Sequence, residues 1–571
     1  MYILGISCHY HDAAAALLKN GKLVAAALEE RFSRKKHDYS FPYNAINFVL
    51  QEAGIEPRQL DYAVFYEKPF LKFERIIKQV FSSFPETLPV FRESMSVWLK
   101  DKLWIKALIQ KTLDISEDRI LFSHHHLSHA ASAFFPSPFK EAAILTIDGV
   151  GEWTTTTIGY GKDHEITLFE EIRFPHSLGL LYSAFTAFLG FKVNNGEYKV
   201  MGMAPYGEPV HVDKIKKLIE IEDDGSFRLN LKYFSFHRST RRTFSKAFTK
   251  LFGEPRDPKE AEHLDKYYAD IAASIQKVTE EAIIKLAKRV KQRTGSENLV
   301  MAGGVALNSK ANGLILKETG FSNIYIQPEA GDGGGALGAA LMAHAVLTGE
   351  RPSFVLEHAY WGKEYGNGTI EKFLKDNNIK YEYIENEDKL IERTVDLISS
   401  GKVIGWYHGK FEWGPRALGN RSILADPRRA EMKDIVNKKI KFREPFRPFA
   451  PSVIEEAAEE FFDLGPNKGQ MPLRFMLMVV PVKKDKRVIP AVTHVDGSAR
   501  VQIVNERINP LYYRLIKTFG EATGIPVVLN TSLNLRGEPI VTSPENAYNT
   551  FSKSEMDALI MGNYLVKKED V

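Results

Sequence analysis

The segment SHHHLSHAASAFF, residues 123–135, contains the residue types best suited to binding a metal ion. His125 and His129 are four positions apart, so on a helix they share one face and can hold one ion between them. Asp148 follows an apolar run, residues 142–147, that is typical of a buried strand. Two histidines on a helix and an aspartate at a strand end predict a divalent metal site. Histidines that only satisfy polar groups around a buried helix would give the same spacing.

Glycine-rich turns at helix entries form a second group of candidates. Gly303 and Gly304 lie between a predicted strand, residues 298–302, and the sequence VALNSKANG. Glycines at such a turn let backbone N–H groups approach a phosphate, and we expect Asn308 to contact the nucleotide as well. Asp332 begins another glycine turn, DGGGALGAA, before an apolar helix. Repeated acidic glycine turns indicate a nucleotide-binding fold, although any tight strand-to-helix turn uses glycine.

The C-terminal third of the sequence carries cations on a stiff backbone. In NKKIKFREPFRPFAPSV, phenylalanines alternate with Lys441, Arg447 and other charged residues, and three prolines restrict the chain. Cations held against apolar residues suit a fixed anion site, and arginine suits bidentate contact with phosphate. Further candidates, each of which is individually more typical of a structural role, are Arg416, Arg421, Arg500, Asn530 and Ser532.

Two scaffolds are needed to position these residues. A pattern of strand, polar turn, strand, tight turn and strand begins at Tyr2 and recurs from Ala143. A duplicated meander with an acidic glycine turn is typical of actin-like, ribonuclease-H-like nucleotide-binding folds. The stretch 351–368 contains proline, glycine and aromatic residues without a clear period, which predicts a linker. We therefore expect an α/β protein with one domain over residues 1–355 and another over 368–571.

Length and composition exclude several classes of protein. A chain of 571 residues with 44% hydrophobic residues is long enough for two domains with buried cores. A net charge of +4 argues against a dedicated nucleic-acid-binding protein. No apolar run is long enough to span a bilayer, and the first residues, MYILGIS, lack the basic segment of a secretory leader. We expect a cytoplasmic protein that binds neither nucleic acid nor membrane, and the sequence leaves a homodimer open.

Motifs along the whole chain resemble one known family. HHLSHAASAF, TIDGVGEW, GDGGGALGAA, FEWGPRALGNRSILADPR, KFREPFRPFAP and NTSLNLRGEPIV are similar to motifs of the O-carbamoyltransferases of the nodulation-protein, cephem and tobramycin type. This resemblance implies that the N-terminal domain has the actin-like fold of the enzymes that transfer threonylcarbamoyl to tRNA. It implies that the C-terminal domain is an α+β, YrdC-like domain, which forms carbamoyl-adenylates.

The resemblance also implies a reaction in two steps and assigns residues to them. Carbamoyl phosphate loses phosphate in the C-terminal domain, and the carbamate attacks ATP to give carbamoyl-adenylate and pyrophosphate. An acceptor hydroxyl then takes the carbamoyl group in the N-terminal domain. The implied metal ligands are His125, His129, Asp148 and Asp332, and the implied catalytic residues near the acceptor are His11, Asp12 and His37. The implied contacts of carbamoyl phosphate and ATP are Lys441, Arg447, Arg500, Asn530 and Ser532, to which charge and glycine context add Arg416 and Arg421.

The expected cofactors are a divalent metal and ATP with Mg²⁺. Nitrogen and oxygen ligands suit Fe²⁺, Zn²⁺ or Mn²⁺, and the resemblance points to iron. The expected partners are carbamoyl phosphate, ATP and a small molecule with a hydroxyl group, whose identity the sequence does not encode. Two alternatives are a threonylcarbamoyl-type transferase acting on tRNA and an actin-like ATP-binding module that transfers no group. The fused C-terminal domain and mild net charge count against the first, and the C-terminal cations count against the second.

Overall fold

The computed structural model describes residues 1–82, 84–99, 102–260 and 263–570. The chain divides into two compact units. Unit 1 consists of Met1–Glu29 and Asp38–Leu356, and unit 2 consists of Glu30–His37 and Glu357–Val571. The short segment Glu30–His37 is therefore part of unit 2, although the residues before and after it in the chain belong to unit 1. No local pattern in the sequence predicts that this segment belongs to unit 2.

Unit 1 contains two five-stranded sheets with the same topology. The first has the order β3-β2-β1-β4-β5, and the second has the order β8-β7-β6-β11-β12. In each sheet the first three strands in sequence are antiparallel, and the last two extend the sheet in parallel from the first strand. This repeated order confirms the predicted duplicated, actin-like α/β fold. The strands of unit 1 are β1 (Tyr2–Ser7), β2 (Ala14–Lys19), β3 (Lys22–Leu28), β4 (Tyr62–Phe65), β5 (Ile120–Phe122), β6 (Glu141–Ile147), β7 (Thr154–Lys162), β8 (Glu165–Arg173), β9 (Ile219–Ile221), β10 (Phe227–Leu229), β11 (Asn298–Ala302) and β12 (Asn323–Ile326).

Helices cover these sheets and fill the connections between strands. The helix Asp332–Thr348 packs against β1, β2 and the helix His125–Phe134. The region between residues 210 and 260 contains the hairpin β9–β10 and the helix Lys246–Phe252. Within the described ranges, no helix has the length and apolar character needed to cross a membrane. The other main helices of unit 1 are Tyr43–Ala53, Pro69–Ser82, Leu88–Trp98, Ile105–Leu113, Leu178–Phe188, Glu197–Met203, Lys266–Thr294 and Ser309–Thr319.

Unit 2 is built on one mixed eight-stranded sheet with helices packed on it, an α+β arrangement. The strand order is β13-β22-β21-β14-β15-β20-β16-β19, and β17 pairs with β18 separately. The strands are β13 (Glu382–Tyr383), β14 (Ile404–Tyr407), β15 (Arg421–Ala425), β16 (Ala450–Ile454), β17 (Val479–Pro481), β18 (Ser498–Arg500), β19 (Gln502–Val504), β20 (Val527–Ser532), β21 (Ala558–Met561) and β22 (Tyr564–Lys567). The main helices are Asn367–Asp376, Glu387–Ser399, Pro510–Thr523 and Pro544–Ser552.

Candidate functional sites

Four buried side chains converge in unit 1. His125 and His129 lie on one face of the helix His125–Phe134, Asp148 follows β6, and Asp332 begins the helix Asp332–Thr348. The two Nε2 atoms are 3.1 Å apart, and His125 Nε2 is 3.2 Å from Asp148 Oδ2. Asp332 Oδ1 is 3.6 Å from each Nε2. One ligand atom from each residue lies within 4.8 Å of all the others, and each residue is at most 6% exposed.

This cluster fits a divalent metal ion. Four ligands about 2.1 Å from a central ion in a tetrahedron are about 3.4 Å from one another, close to the separations seen here. Two buried carboxylates also need a positive charge near them. Burial lowers the pKa of His125, but Asp332 and Asp148 outweigh it and raise that pKa to about 10. Burial likewise opposes the ionisation of Asp148, and the neighbouring histidines hold its pKa well below the usual range. A bound cation would replace the proton that these groups otherwise share.

Close approach of backbones brings the four ligands together. A Cβ atom at Gly338 would lie 1.8 Å from the Ser128 carbonyl oxygen, so only glycine lets the helices that carry Asp332 and the histidines pack this closely. Gly303 has a φ of 93°, and a Cβ there would lie 2.3 Å from the Ile147 carbonyl oxygen. The backbone N–H of Gly304 donates to Asp148 Oδ1 at 2.9 Å. Gly304, one of the two glycines that we expected to approach a phosphate, thus donates to the carboxylate of a candidate metal ligand in this structure.

A second layer of charged residues surrounds His125. Glu67 Oε2 is 3.5 Å from His125 Nδ1 and accepts a hydrogen bond from Lys72 Nζ at 2.6 Å. The Glu152 carboxylate accepts from the backbone N–H of His125 at 3.0 Å. Although burial raises the pKa of Glu67, Lys72 and His125 lower it to about 2. An ionised Glu67 therefore lies near Nδ1 of His125 while Nε2 faces the other three residues of the cluster, and outer-shell carboxylates at metal sites occupy such a place.

The predicted acceptor-side residues are divided between the units. His11 Nδ1 is paired with Asp12 Oδ2 at 2.6 Å, and its Nε2 is bonded to the Asn194 carbonyl oxygen at 2.7 Å. Both residues lie in unit 1. His37 lies in the segment Glu30–His37 of unit 2, where its backbone N–H donates to Glu30 Oε2 at 2.8 Å. A shared acceptor site for these three residues stays a prediction.

Asn308 caps a helix and joins a buried amide network. Its Oδ1 accepts from the backbone N–H of Ala311 at 3.2 Å, at the start of the helix Ser309–Thr319. Its side chain also pairs with Gln276, which donates to Glu280 Oε1 at 2.9 Å and accepts from Tyr182 at 2.9 Å. These polar groups lie beside the turn of Gly303, where we expected nucleotide contacts.

Unit 2 holds the buried amine of Lys441 at the end of β20. Lys441 Nζ donates to the carbonyl oxygens of Ser532 and Asn534 at 2.7 Å and to Asn534 Oδ1 at 2.5 Å. Burial lowers the pKa of Lys441 well below its usual range, and the charges of Arg443, Arg447 and Lys36 lower it further. The oxygens that accept from Lys441 Nζ are neutral, and the other charged groups that disfavour its charge are cations.

Three of the predicted arginines of unit 2 come close to one another. Burial lowers the pKa of Arg500 well below its usual range, and the charges of Arg416 and Arg447 add to this effect. The Nε of Arg500 is buried and has no hydrogen-bond partner among the described residues. Arg447 is also 3.4 Å from Glu444 Oε2. Like charges gathered among half-buried arginines favour an anion, so this cluster can bind phosphate groups.

The remaining candidates of unit 2 make internal contacts. Arg421 is fully buried, lies over the Tyr407 ring, and donates to the carbonyl oxygens of His408, Asn420 and Gly409. These contacts favour a structural role for Arg421 over direct contact with a ligand. Asn530 donates to Gln502 Oε1 at 2.9 Å and to Ser452 Oγ at 3.1 Å, and Ser532 Oγ donates to Asn534 Oδ1 at 2.7 Å. Asn530 and Ser532 lie within β20.

Sequence reasoning missed several residues of both sites. Glu67 lies two residues after the end of β4, and Asn534 lies in the motif NTSLNLRGEPIV. Their places at a strand end and in a family motif were the available signals. Arg34 had no such signal. In unit 2 it donates to the carbonyl oxygens of Ile540 at 2.7 Å and Pro539 at 2.8 Å, and its neighbour Arg31 donates to that of Gly414 at 2.6 Å. These contacts join residues about 380 to 510 positions apart, which no local pattern reveals.

Both parts of the chain match models of one protein family. The model described as the carbamoyltransferase N-terminus matches residues 2–341, and the model described as the carbamoyltransferase C-terminus matches residues 395–568. The matches include the buried cluster of unit 1 and the cations of unit 2.

Relatives of similar length are also found. An uncharacterised protein of Synechocystis sp. is 48% identical over 99% of this chain and 97% of its own length. Nodulation protein NolNO of Sinorhizobium fredii is 39% identical over 98% of this chain and 79% of its own length. Among solved structures, component A of the (R)-2-hydroxyglutaryl-CoA dehydratase of Acidaminococcus fermentans is 17% identical, with a TM-score of 0.32 over 61% of this chain and 98% of that chain.

Proposed function

This chain belongs to the carbamoyltransferase family, and from that premise we propose that it is an ATP-dependent O-carbamoyltransferase. Its substrates are carbamoyl phosphate, ATP with Mg²⁺, and a small molecule that accepts the carbamoyl group on a hydroxyl. The observation that carries the proposal is the pairing of two sites of different chemistry in one chain. Unit 1 has a buried cluster of histidines and aspartates, and unit 2 has a cluster of partly buried arginines.

The cations of unit 2 suit the activation step. Carbamate is a poor acyl donor because its nitrogen donates electrons into the carbonyl group. In the proposed step, water cleaves carbamoyl phosphate into carbamate and inorganic phosphate. A carbamate oxygen then attacks the α-phosphorus of ATP, the bond to the β-phosphate breaks, and pyrophosphate leaves. Arg416, Arg447, Arg500 and Lys441 bind and neutralise the phosphate oxygens of carbamoyl phosphate and ATP. Asn530 and Ser532 orient the same groups, and Arg421 shapes the loop that carries Arg416.

The cluster of unit 1 suits the transfer step. His125, His129, Asp148 and Asp332 would hold a divalent metal, for which we propose iron, and the metal would polarise the carbamoyl carbonyl group. His11 and Asp12 position the acceptor hydroxyl, whose proton passes to water as the hydroxyl oxygen bonds to the carbonyl carbon. AMP leaves as the anhydride bond breaks. We place His37 on the acceptor side as well, and we assign Gly303, Gly304 and Asn308 to the side of the nucleotide.

Pyrophosphate release and acceptor mass test this proposal. The purified protein should release pyrophosphate from ATP only when carbamoyl phosphate is present. A hydroxyl-bearing acceptor should then gain the mass of one carbamoyl group. ATP turnover that does not respond to carbamoyl phosphate would instead support an actin-like ATP-binding module without group transfer.

A further inference from the structure

The hydrogen-bonding capacity of Lys441 is fully used within unit 2. An ammonium group has three N–H bonds. The three close acceptors of Lys441 Nζ are Ser532 O at 2.7 Å, Asn534 O at 2.7 Å and Asn534 Oδ1 at 2.5 Å, while Ser532 Oγ is more distant at 3.4 Å. A phosphate oxygen can therefore accept from this amine only if it takes the place of one of these acceptors.

The three acceptors are neutral, so the charge of Lys441 is not balanced locally. The ion pairs formed within the described ranges include none between Lys441 and a carboxylate. The charged groups that act on it are Arg443, Arg447 and Lys36, which disfavour its charge, and Glu538, which favours it. Exchanging a neutral acceptor for an anionic oxygen gives a stronger, charge-assisted hydrogen bond.

Among the three acceptors, only Asn534 Oδ1 is on a side chain that can rotate. Two carbonyl oxygens are fixed by the backbone at the end of β20. Asn534 is 7% exposed, and its Oδ1 also accepts from Ser532 Oγ at 2.7 Å. Its Nδ2 donates to the Glu538 carbonyl oxygen at 2.7 Å. One amide oxygen thus holds both Lys441 and Ser532, two residues that we assign to the anion site.

We propose that Asn534 is a positioning residue whose Oδ1 occupies, in the free protein, the place that a phosphate oxygen takes on Lys441 when the anionic substrate binds. Binding moves one N–H of Lys441 and the O–H of Ser532 from Asn534 Oδ1 to the phosphate oxygen. No covalent bond changes. This inference rests on the proposed function, because that function places the phosphate groups at Lys441.

Phosphate binding by Asn534 variants tests the exchange. Titrations with inorganic phosphate and with carbamoyl phosphate compare the wild type with Asn534→Asp, Asn534→Ala and Lys441→Ala. Asn534→Asp keeps the size of the side chain but fixes a negative charge on Lys441, so the phosphate Kd should rise about ten- to hundredfold. Asn534→Ala removes the competing acceptor, so the Kd should stay equal or fall. Lys441→Ala should weaken binding strongly.

A structural role for Asn534 gives a different pattern. If Asn534 only supported the fold, both of its variants would lose thermal stability and phosphate affinity in parallel. Asn546→Ala is the control, because it removes the side-chain partner in the cap of the helix Pro544–Ser552 without an observed contact to Lys441.

The inference is overturned if Asn534→Asp binds phosphate like the wild type, if Asn534→Ala weakens binding as much as Asn534→Asp, or if the wild type binds neither anion. If the wild type binds phosphate but releases no pyrophosphate from ATP when carbamoyl phosphate is present, the proposed function fails and the inference about Asn534 stands.

Discussion

Asp148 is the residue that ties the cluster of unit 1 to its scaffold. Its Oδ2 faces His125 Nε2 at 3.2 Å, its Oδ1 accepts from the N–H of Gly304, and its own N–H donates to the Thr155 carbonyl oxygen. The carboxylate is therefore held in place before any ion binds. Such preorganisation lowers the cost of binding a metal, since the ligands need not be ordered at that moment.

The first prediction is that replacing both histidines of the cluster removes the metal. Protein carrying His125→Ala and His129→Ala should retain little bound metal after purification, because two of the four ligands are lost. Elemental analysis measures this. His124→Ala is the matched control, because His124 is an exposed neighbour in the same sequence motif. Equal metal content in the double variant and the wild type would contradict the assignment.

The second prediction concerns pH and the pair of His11 with Asp12. Burial lowers the pKa of His11, but Asp12 outweighs it and raises the pKa from 6.5 to about 10. Since the folded protein holds this proton more tightly than the unfolded chain, the pair stabilises the fold fully below pH 6.5. That stabilisation is lost as the pH rises to about 10.

Thermal unfolding from pH 6 to pH 10 measures this effect. The unfolding temperature of the wild type should exceed that of His11→Gln most at the acidic end, and the difference should shrink toward pH 10. His164→Gln, which changes a half-exposed histidine of unit 1, controls for the loss of any imidazole. If the difference in unfolding temperature between the wild type and His11→Gln is constant from pH 6 to pH 10, Asp12 does not raise the pKa of His11.

At the scale of elements, the turn after β11 positions Asp148, the candidate metal ligand that follows β6. Gly303 combines a φ of 93° and a ψ of 154° with a close approach to Ile147, and the next residue donates to Asp148. This backbone region is open almost only to glycine and costs other residues about 1–3 kcal/mol. A side chain would also have to push β6 and β11 apart.

The third prediction is therefore that Gly303→Ala weakens both the fold and the metal site. The unfolding temperature and the metal content should both fall, because the turn must move away from Ile147 and Asp148. Gly295→Ala is the matched control: Gly295 also has a positive φ, 64°, but no atom lies within 4 Å of the position that its Cβ would take. It should cost only about 1 kcal/mol and leave the metal content unchanged. If Gly303→Ala and Gly295→Ala change the unfolding temperature and the metal content equally, the close approach of Gly303 to Ile147 is not important for the site.

The sequence was sufficient to predict the elements of unit 1 that have a local signal. β1, β6 and β11 are short apolar runs, and the repeated meander predicted the duplicated fold. His125 and His129 were recognisable from helical spacing. The segment Glu30–His37 was not, because its place in unit 2 depends on contacts with residues more than 380 positions away. The extent of β20 through the polar residues Asn530 and Ser532 has no local signal either, because it depends on pairing with β15 and β16.

At the scale of the whole molecule, each unit has residues for one half of the proposed reaction. Unit 1 has nitrogen and oxygen ligands for a metal, and unit 2 has the gathered cations that phosphate groups require. The two half-reactions should therefore be separable by mutation.

A crossed assay of Asp148→Ala and Lys441→Ala tests this central claim most directly. Each folded variant is assayed for carbamoyl phosphate-dependent pyrophosphate release from ATP, and for transfer to an acceptor from supplied carbamoyl-adenylate. Asp148→Ala should release pyrophosphate and fail to transfer, because it keeps the cations and loses a metal ligand. Lys441→Ala should fail to release pyrophosphate and still transfer. Loss of pyrophosphate release in Asp148→Ala as complete as in Lys441→Ala, with the fold intact, would contradict the division of the reaction between the two units.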